Sequence, residues 1–141
     1  MFGYSNKAHD GYLGDSVIGE WCNLGACTTN SNLKNTAGEV RVWTPNGQMD
    51  AGKKCGMMMG DYSRTAINTA INTGTIIGAC CNVFGNGLTP KYISSFSWGS
   101  EGVNRYGLNK AYTDIEAWKE LKRQTLSENE RNILRHIFEK F

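Results

Sequence analysis

The sequence predicts an all-β solenoid: a parallel β-helix of hexapeptide repeats with an inserted hairpin loop and a C-terminal two-helix extension. Three observations lead there. Leu13, Ile18 and Leu24 are each followed at once by glycine, at spacings of five and six residues. Met59, Thr65, Ile71, Ile77 and Val83 then lie six apart, and Ser63, Thr69, Thr75 and Cys81 follow the first four of these by four residues. From Asn109 onward the apolar period becomes helical. A hexad of this kind makes one short strand and one turn, with its aliphatic side chain inward. The glycine is expected where the backbone turns. An ordinary antiparallel sheet with repeated turns is the competing reading, and it has to treat the run of equal steps as accident.

Residues 1–8 carry no pattern, and a chain that starts so close to a complete coil is expected to be the end of something longer. From Leu13 to Thr28 the hexads run with Val17, Cys22 and Thr28 as smaller inward residues. The step from Leu13 to Ile18 is one short, so one corner has lost a residue. An insertion over 29–55 interrupts the repeats. Within it Glu39 to Trp43 alternates like a strand, Pro45-Asn46-Gly47 is a turn signal, and Gln48 to Ala51 is a short return strand. Such an insertion should project from one edge, where binding loops sit. Asn68, Asn72 and Asn82 fit turn positions.

Residues 88–107 hold Pro90, Tyr92, Phe96 and Trp98 and read as an irregular cap over the last coil, closing a solenoid domain at 1–107. In the extension, 108–141, Ala111, Ile115, Trp118 and Leu121 or Lys122 mark one helical face. Ser127-Glu-Asn-Glu130 is a capping box, opening a second helix with Ile133, Leu134, Ile137, Phe138 and Phe141 apolar.

At 141 residues the chain suits one globular unit with room for a core. Its formal charge of +2, with scattered basic residues, argues against a nucleic-acid partner. Lys53-Lys54 and the Lys119 to Arg123 run read as solvated faces. No apolar run approaches the roughly 20 residues of a membrane span, and no stretch reads as a signal peptide. None of the five cysteines forms a Cys-x-x-Cys metal pair. Cys22 and Cys81 fall on inward positions as small buried apolar groups. A reducing, cytoplasmic setting and no metal are expected.

Chemistry concentrates in residues 9–28. His9 and Tyr12 are three apart, and Asn23 precedes Leu24-Gly25. With three hexads per coil, about 18 residues, these three should approach one edge. A histidine can accept a proton near neutral pH, the task of a base that deprotonates an ammonium before nucleophilic attack. A lone histidine before a strand is otherwise structural or simply exposed.

The run His9-Asp-Gly-Tyr12-Leu-Gly-Asp-Ser-Val-Ile-Gly-Glu-Trp-Cys-Asn23-Leu-Gly-Ala26-Cys27-Thr28 closely resembles the acetyltransferase domain of the GlmU-like family. Those proteins are bifunctional uridylyltransferase/glucosamine-1-phosphate acetyltransferases that make UDP-N-acetylglucosamine. Thr29 to Asn35, Glu39 to Trp43, Ile71 to Thr75 and Phe96-Ser-Trp-Gly99 resemble a Bacteroidetes-type branch of sugar-1-phosphate nucleotidyltransferases with archaeal relatives. The resemblance implies a left-handed coil, a homotrimer, acetyl-CoA as co-substrate and an amino-sugar 1-phosphate as acceptor. It implies that His9 activates the 2-amino group while Tyr12 and Asn23 hold the sugar phosphate. Asn32 and Arg41 match archaeal positions, and Lys34 or Arg41 is the implied phosphate cation, although a further expected lysine is Gly38. Acetyl-CoA along the outside of the coils would meet Ala26, Asn68 and Gly85. Cys27 replaces a family glycine and is read as a bystander. The family's N-terminal nucleotidyltransferase domain is missing from these residues, which lack the Leu-x-x-Gly-x-Gly-Thr fingerprint. The altered loop and Gly38 favour a rival reading, a non-catalytic trimerisation or regulatory module of a sugar nucleotidyltransferase.

Overall fold

The computed structural model describes residues 1–141. Most strands are two residues long and pair in parallel with strands one coil away. β1 (Val17–Ile18), β2 (Asn23–Leu24) and β3 (Thr29–Asn30) go to three different sheets. The hairpin β4 (Arg41–Thr44) and β5 (Gly47–Asp50) intervenes. Then β6 (Met58–Met59), β7 (Arg64–Thr65) and β8 (Ala70–Ile71) return to the same sheets in the same order. β9 (Ile76–Ile77) and β10 (Asn82–Val83) continue the rotation, as do β11 (Tyr92–Ile93) and β12 (Ser97–Trp98). β13 (Asn104–Arg105) closes the last edge antiparallel to β12. Partners such as Met58 and Ile76 are 18 residues apart, whereas Val17 and Met58 are 41 apart, so the insertion adds 23. These parallel sheets with two appended helices are compatible with a β-helix.

The hexad residues meet inside. Ile18, Leu24, Met59, Ile71, Ile77, Val83 and Ile93 form one core with Met57, Cys22 and Cys81. Buried hydroxyls find partners there, as burial requires. Thr28 and Thr65 share a 2.7 Å hydrogen bond, and Ser63 Oγ donates to the Gly78 carbonyl at 2.7 Å. Val17, expected inward, is 54% exposed, because it alternates with Ile18 on the two sides of β1.

The hexad glycines do not make the turns. A Cβ on Gly25 would lie 2.6 Å from the Ala66 carbonyl carbon, and one on Gly60 would lie 2.8 Å from Ala79 N. These glycines let successive coils touch. Turning falls to residues one or two positions after the glycine, or after Ala66 in its place: Asp15, Trp21, Cys27, Tyr62, Asn68 and Cys80 all have φ of 47–61°. Asn68 is thus a turn residue as expected, while Asn82 belongs to β10.

Both ends of the strand stack also differ from expectation. Residues 2–12 form a preceding rung: Phe2 N donates to Ile18 O, Asn6 N to Cys22 O, and Asn30 N to Tyr12 O. Residues 88–98 are a further coil, not an irregular cap. Leu88 pairs with Ala70 at an offset of 18, but Tyr92 pairs with Ile76 at 16. Two residues are lost at the Pro90 corner, and the hexad spacing goes with them.

The hairpin lies along the β9–β11 sheet rather than projecting from an edge. Val40, Val42 and Cys55 bury against Ile76, and Trp43 stacks on Tyr92 with centroids 3.8 Å apart. The sheet's outward apolar residues need that cover.

Helices α1 (Leu108–Glu120) and α2 (Glu128–Lys140) pack on one corner of the coil stack. Trp21, Tyr62, Cys80 and Phe96 repeat at that corner and join Tyr106, Ala111, Tyr112, Ile115, Leu126 and Leu134 in a second core. The buried stripe of α1 is Ala111, Tyr112, Ile115 and Lys119. Leu121 is 73% exposed because the helix stops one residue before it, and Lys122 lies beyond that end. Trp118 is half-exposed and covers the Arg64 guanidinium at 5.2 Å. Lys119 is buried rather than solvated. The capping box forms: Ser127 Oγ accepts from Glu130 N at 3.3 Å, and Glu130 Oε2 accepts from Ser127 N at 2.8 Å. On α2 Leu134 is buried and Ile137 and Phe138 half-buried, while Ile133 and Phe141 face solvent. No helix is long and apolar enough to cross a membrane, and all five thiols are free.

Candidate functional site

Tyr12 is held by the backbone on both sides. Its N–H donates to Thr29 Oγ1 at 3.3 Å, and its carbonyl accepts from Asn30 N at 3.0 Å. Gly11 has φ +116°, and a Cβ there would sit 2.1 Å from the Thr28 carbonyl oxygen. Only glycine lets the chain pass that close. A Cβ on Gly14 would strike the Tyr12 phenol itself, so the ring folds over Gly14. The two glycines of His-Asp-Gly-Tyr-Leu-Gly therefore fix the tyrosine.

The phenol oxygen accepts from Asn32 Nδ2 at 3.0 Å, and the same amide donates to Asp15 Oδ2 at 2.6 Å. Tyr12 and Asn32, 20 residues apart, thus meet at the mouth of the insertion. Asp15 completes the contact. Asp15 was not among the candidate residues, and its only sequence signal is the Gly-Asp pair ahead of the first strand.

His9 is exposed on the turn leading to Tyr12. Lys7 Nζ donates to the carbonyls of His9 and Asp10, each at 3.0 Å. Cys27 N donates to Asp10 O at 2.8 Å, which sets the turn against the Ala26-Cys27 corner. Asn23 stands on the neighbouring sheet, where its Oδ1 accepts from Asn6 Nδ2 at 3.2 Å. Asn6 pairs with Asn23 and Tyr12 lies beside Asn30, so Asn23 and Tyr12 flank the His9 corner from two faces. No hydrogen bond joins the three.

Along that corner Asn68 N donates to Ala26 O at 2.8 Å, and Ala66 N donates to Val83 O at 2.8 Å, two residues before Gly85. Ala26, Asn68 and Gly85 therefore occupy successive coils of one edge. Lys34 and Arg41 are not brought together. Lys34 Nζ donates to the Glu39 carbonyl, while Arg41 pairs with Asp50 across the hairpin at 3.3 Å with both side chains largely exposed. Lys34 lines a groove of about 300 Å³ with Ser31, Asn35, Thr36, Asn72 and Thr73.

No protein-family model matches the chain. Curated relatives do. The bifunctional protein GlmU of Methanocaldococcus jannaschii is 33% identical over 87 residues, 62% of this chain and 21% of that protein. A bifunctional sugar-1-phosphate nucleotidylyltransferase/acetyltransferase of Sulfurisphaera tokodaii is 39% identical over 81 residues, 57% of this chain and 20% of the relative. The bifunctional protein GlmU of Methanococcus maripaludis is 31% identical over 98 residues, 70% of this chain and 24% of its own length. The chain spans about a fifth of the length of these relatives, matching their C-terminal portion.

Proposed function

We propose, from this relationship to GlmU-type bifunctional proteins, that the chain transfers an acetyl group from acetyl-CoA to the amine of an amino-sugar 1-phosphate. Glucosamine-1-phosphate is the acceptor we favour, in a cytoplasmic sugar-nucleotide pathway. The coil is taken as a left-handed β-helix that works as a homotrimer. We assign no nucleotidyl transfer to these 141 residues.

The observation that carries the reading is the Tyr12–Asn32 contact at 3.0 Å, one turn after His9. Two sugar-binding candidates distant in sequence meet through their side chains. His9 takes the ammonium proton of the acceptor, and the free amine attacks the thioester carbonyl. The C–N bond forms, the C–S bond breaks, and CoA leaves as the thiol, carrying the second proton that the nitrogen sheds as it becomes an amide, while His9 returns the first to solvent. Backbone N–H groups near Ala26 are the candidates to stabilise the oxyanion. No covalent enzyme intermediate is needed, so Cys27 has no catalytic task. Acetyl-CoA along the Ala26–Asn68–Gly85 edge places its thioester near His9.

The Arg41–Asp50 pair favours the rival, a non-catalytic trimerisation or regulatory module, since it occupies one cation expected for phosphate. CoA release from acetyl-CoA and glucosamine-1-phosphate, measured on wild type and His9→Ala, separates the two. Activity abolished in a folded His9→Ala supports the enzyme. No CoA release by folded, trimeric wild type sinks it.

A further inference from the structure

Arg64 sits on β7 in register with Asn23 of β2 on one side and Asn82 of β10 on the other. Leu24 and Val83 point into the core, so Asn23, Arg64 and Asn82 stand outward in one row. Arg64 is nonetheless only 7% exposed, because Trp118 of α1 lies over its guanidinium. It joins none of the chain's four ion pairs. Its Nε and Nη2, both buried, meet no acceptor among the protein's atoms. Asp114, a carboxylate whose charge acts on it, is already engaged by the Tyr106 hydroxyl and, at 3.1 Å, by Lys110. A buried charge left in that state is costly.

The two orphaned nitrogens are not an arbitrary pair. Nε–H and one N–H of Nη2 run parallel, the edge of a guanidinium that takes both oxygens of a carboxylate. Asn23 and Asn82 add amide donors on either side. Trp118, 38% exposed, also lines a groove of about 210 Å³ with Tyr4, Asn6, Trp21, Leu121 and Lys122. Asn6 bridges Asn23, which places the groove floor two strands from Arg64, about 10 Å. The groove walls are mostly apolar, Lys122 is their one charged group, and no acid is among them. The indole is therefore a wall that the groove and the guanidinium share.

We propose that Arg64 anchors a binding site for a small monocarboxylate with an apolar body the size of one ring. The carboxylate takes the Nε–Nη2 edge, and the body lies in the groove against Trp118. Trp118, two residues before α1 ends at Glu120, swings aside to admit it. A planar carboxylate fits the slot between sheet and indole in the plane of the guanidinium, whereas a tetrahedral phosphate needs more height. The site does not depend on the acetyl-transfer reading.

The test is titration of the full chain with benzoate, benzamide and phenylphosphonate, read by tryptophan fluorescence and by thermal midpoint. Saturable binding of benzoate is expected, with the other two at least about tenfold weaker. Arg64→Lys keeps a charge but loses the two-pronged edge, and should bind benzoate about tenfold more weakly. Arg64→Met should lose at least as much affinity, while its midpoint without ligand stays at or above that of wild type, since an apolar chain replaces an unpaired buried charge. Asn82→Asp sets a carboxylate beside Arg64 from the next strand. It should raise the midpoint without ligand and weaken benzoate about tenfold by competition. Failure of wild type to bind benzoate overturns the proposal. So does binding that benzamide or phenylphosphonate equals, or wild-type affinity in folded Arg64→Met. A crystal grown in benzoate with only water at the Nε–Nη2 edge overturns it as well. If Arg64→Met does not fold, Arg64→Lys and Asn82→Asp decide by the same criterion of affinity.

Discussion

The Lys119 ammonium lies 2.6 Å from Glu130 Oε1, joining the buried side of α1 to the first turn of α2. Lys119 is 4% exposed, and Trp21 faces its Nζ at 4.7 Å to the ring centroid. Tyr62 Oη donates to the same Glu130 oxygen at 2.7 Å. One carboxylate thus ties both helices to the corner of the coil stack.

Removing that carboxylate leaves a buried ammonium without its counterion. Such losses cost about 3–5 kcal/mol for wholly buried pairs. Glu130 keeps 31% of its side chain exposed, so water compensates in part. Glu130→Gln should therefore cost about 2–3 kcal/mol in urea unfolding. Lys119→Met with Glu130→Gln should recover most of this. Equal destabilisation by single and double variants would show that the ion pair is not what holds the helices.

The same pair sets an acid limit. Burial pushes the Glu130 carboxyl up, but Lys119, the Ser127 N–H and the Tyr62 hydroxyl outweigh it and hold it at about 2. In the unfolded chain a glutamate titrates at about 4.3. Between those values the unfolded state binds the extra proton, so stability falls as pH drops through this window. Urea midpoints from pH 5 to pH 2.5 should decline, and more steeply in wild type than in Glu130→Gln.

Glycines that separate coils should be far less replaceable than those on loops. A Cβ at Gly25 meets the Ala66 backbone at 2.6 Å, whereas one at Gly87 meets nothing within 4 Å. Gly25→Ala should cost at least about 2 kcal/mol through overpacking against backbone. Gly87→Ala should cost about 1 kcal/mol, from its φ of +75° alone. Cys27, at φ +59° and exposed, should gain several tenths of a kcal/mol as Cys27→Gly. Thermal midpoints of the three variants check the order.

The inward hexad residues were legible because a buried column demands an aliphatic or small residue every six positions. Ile71, Ile77 and Val83 satisfy it. The terminal coils were not legible. The step from Ile76 to its partner Tyr92 is 16 residues, and a period-six reading ends where that shortening begins. The corner ladder was hidden as well. Trp21, Tyr62, Cys80 and Phe96 have nothing in common until two helices cover them. At the site, Tyr12 and Asn32 were readable from the resemblance, but Asp15 needed the fold that brings it to the Asn32 amide. Tyr12 and Asn23 lie on the two faces that flank the His9 corner, because Asn6, not Tyr12, is the neighbour of Asn23.

Thiol reactivity should single out one cysteine. Burial pushes the thiols of Cys22 and Cys81 up to about 11, and Cys80 and Cys55 are raised by burial as well. The thiolate is the nucleophile, so a thiol titrating at about 11 is about 0.1% ionised at pH 8. Cys27 is exposed. Ellman's reagent at pH 8 should label one thiol quickly, lost in Cys27→Ser, and all five only after unfolding. Rapid labelling of two or more in native protein would contradict the burial of the inner column.

Tyr12→Phe isolates the contact between the phenol and Asn32. Tyr12 is 55% exposed, and Asn32 has its 2.6 Å bond to Asp15 to keep when the hydroxyl goes. The stability cost should be no more than about 1 kcal/mol, one exposed hydrogen bond. On the proposed mechanism the hydroxyl binds acceptor in ground and transition states alike, so its loss should raise KM for the amino-sugar phosphate about tenfold with kcat little changed. His9→Ala should do the reverse, lowering kcat at least about a hundredfold, the usual share of a general base. Steady-state kinetics of the two variants at saturating acetyl-CoA distinguish a binding residue from a proton acceptor. A Tyr12→Phe enzyme with normal KM and depressed kcat would move the tyrosine into the chemistry and displace His9 as the sole proton acceptor.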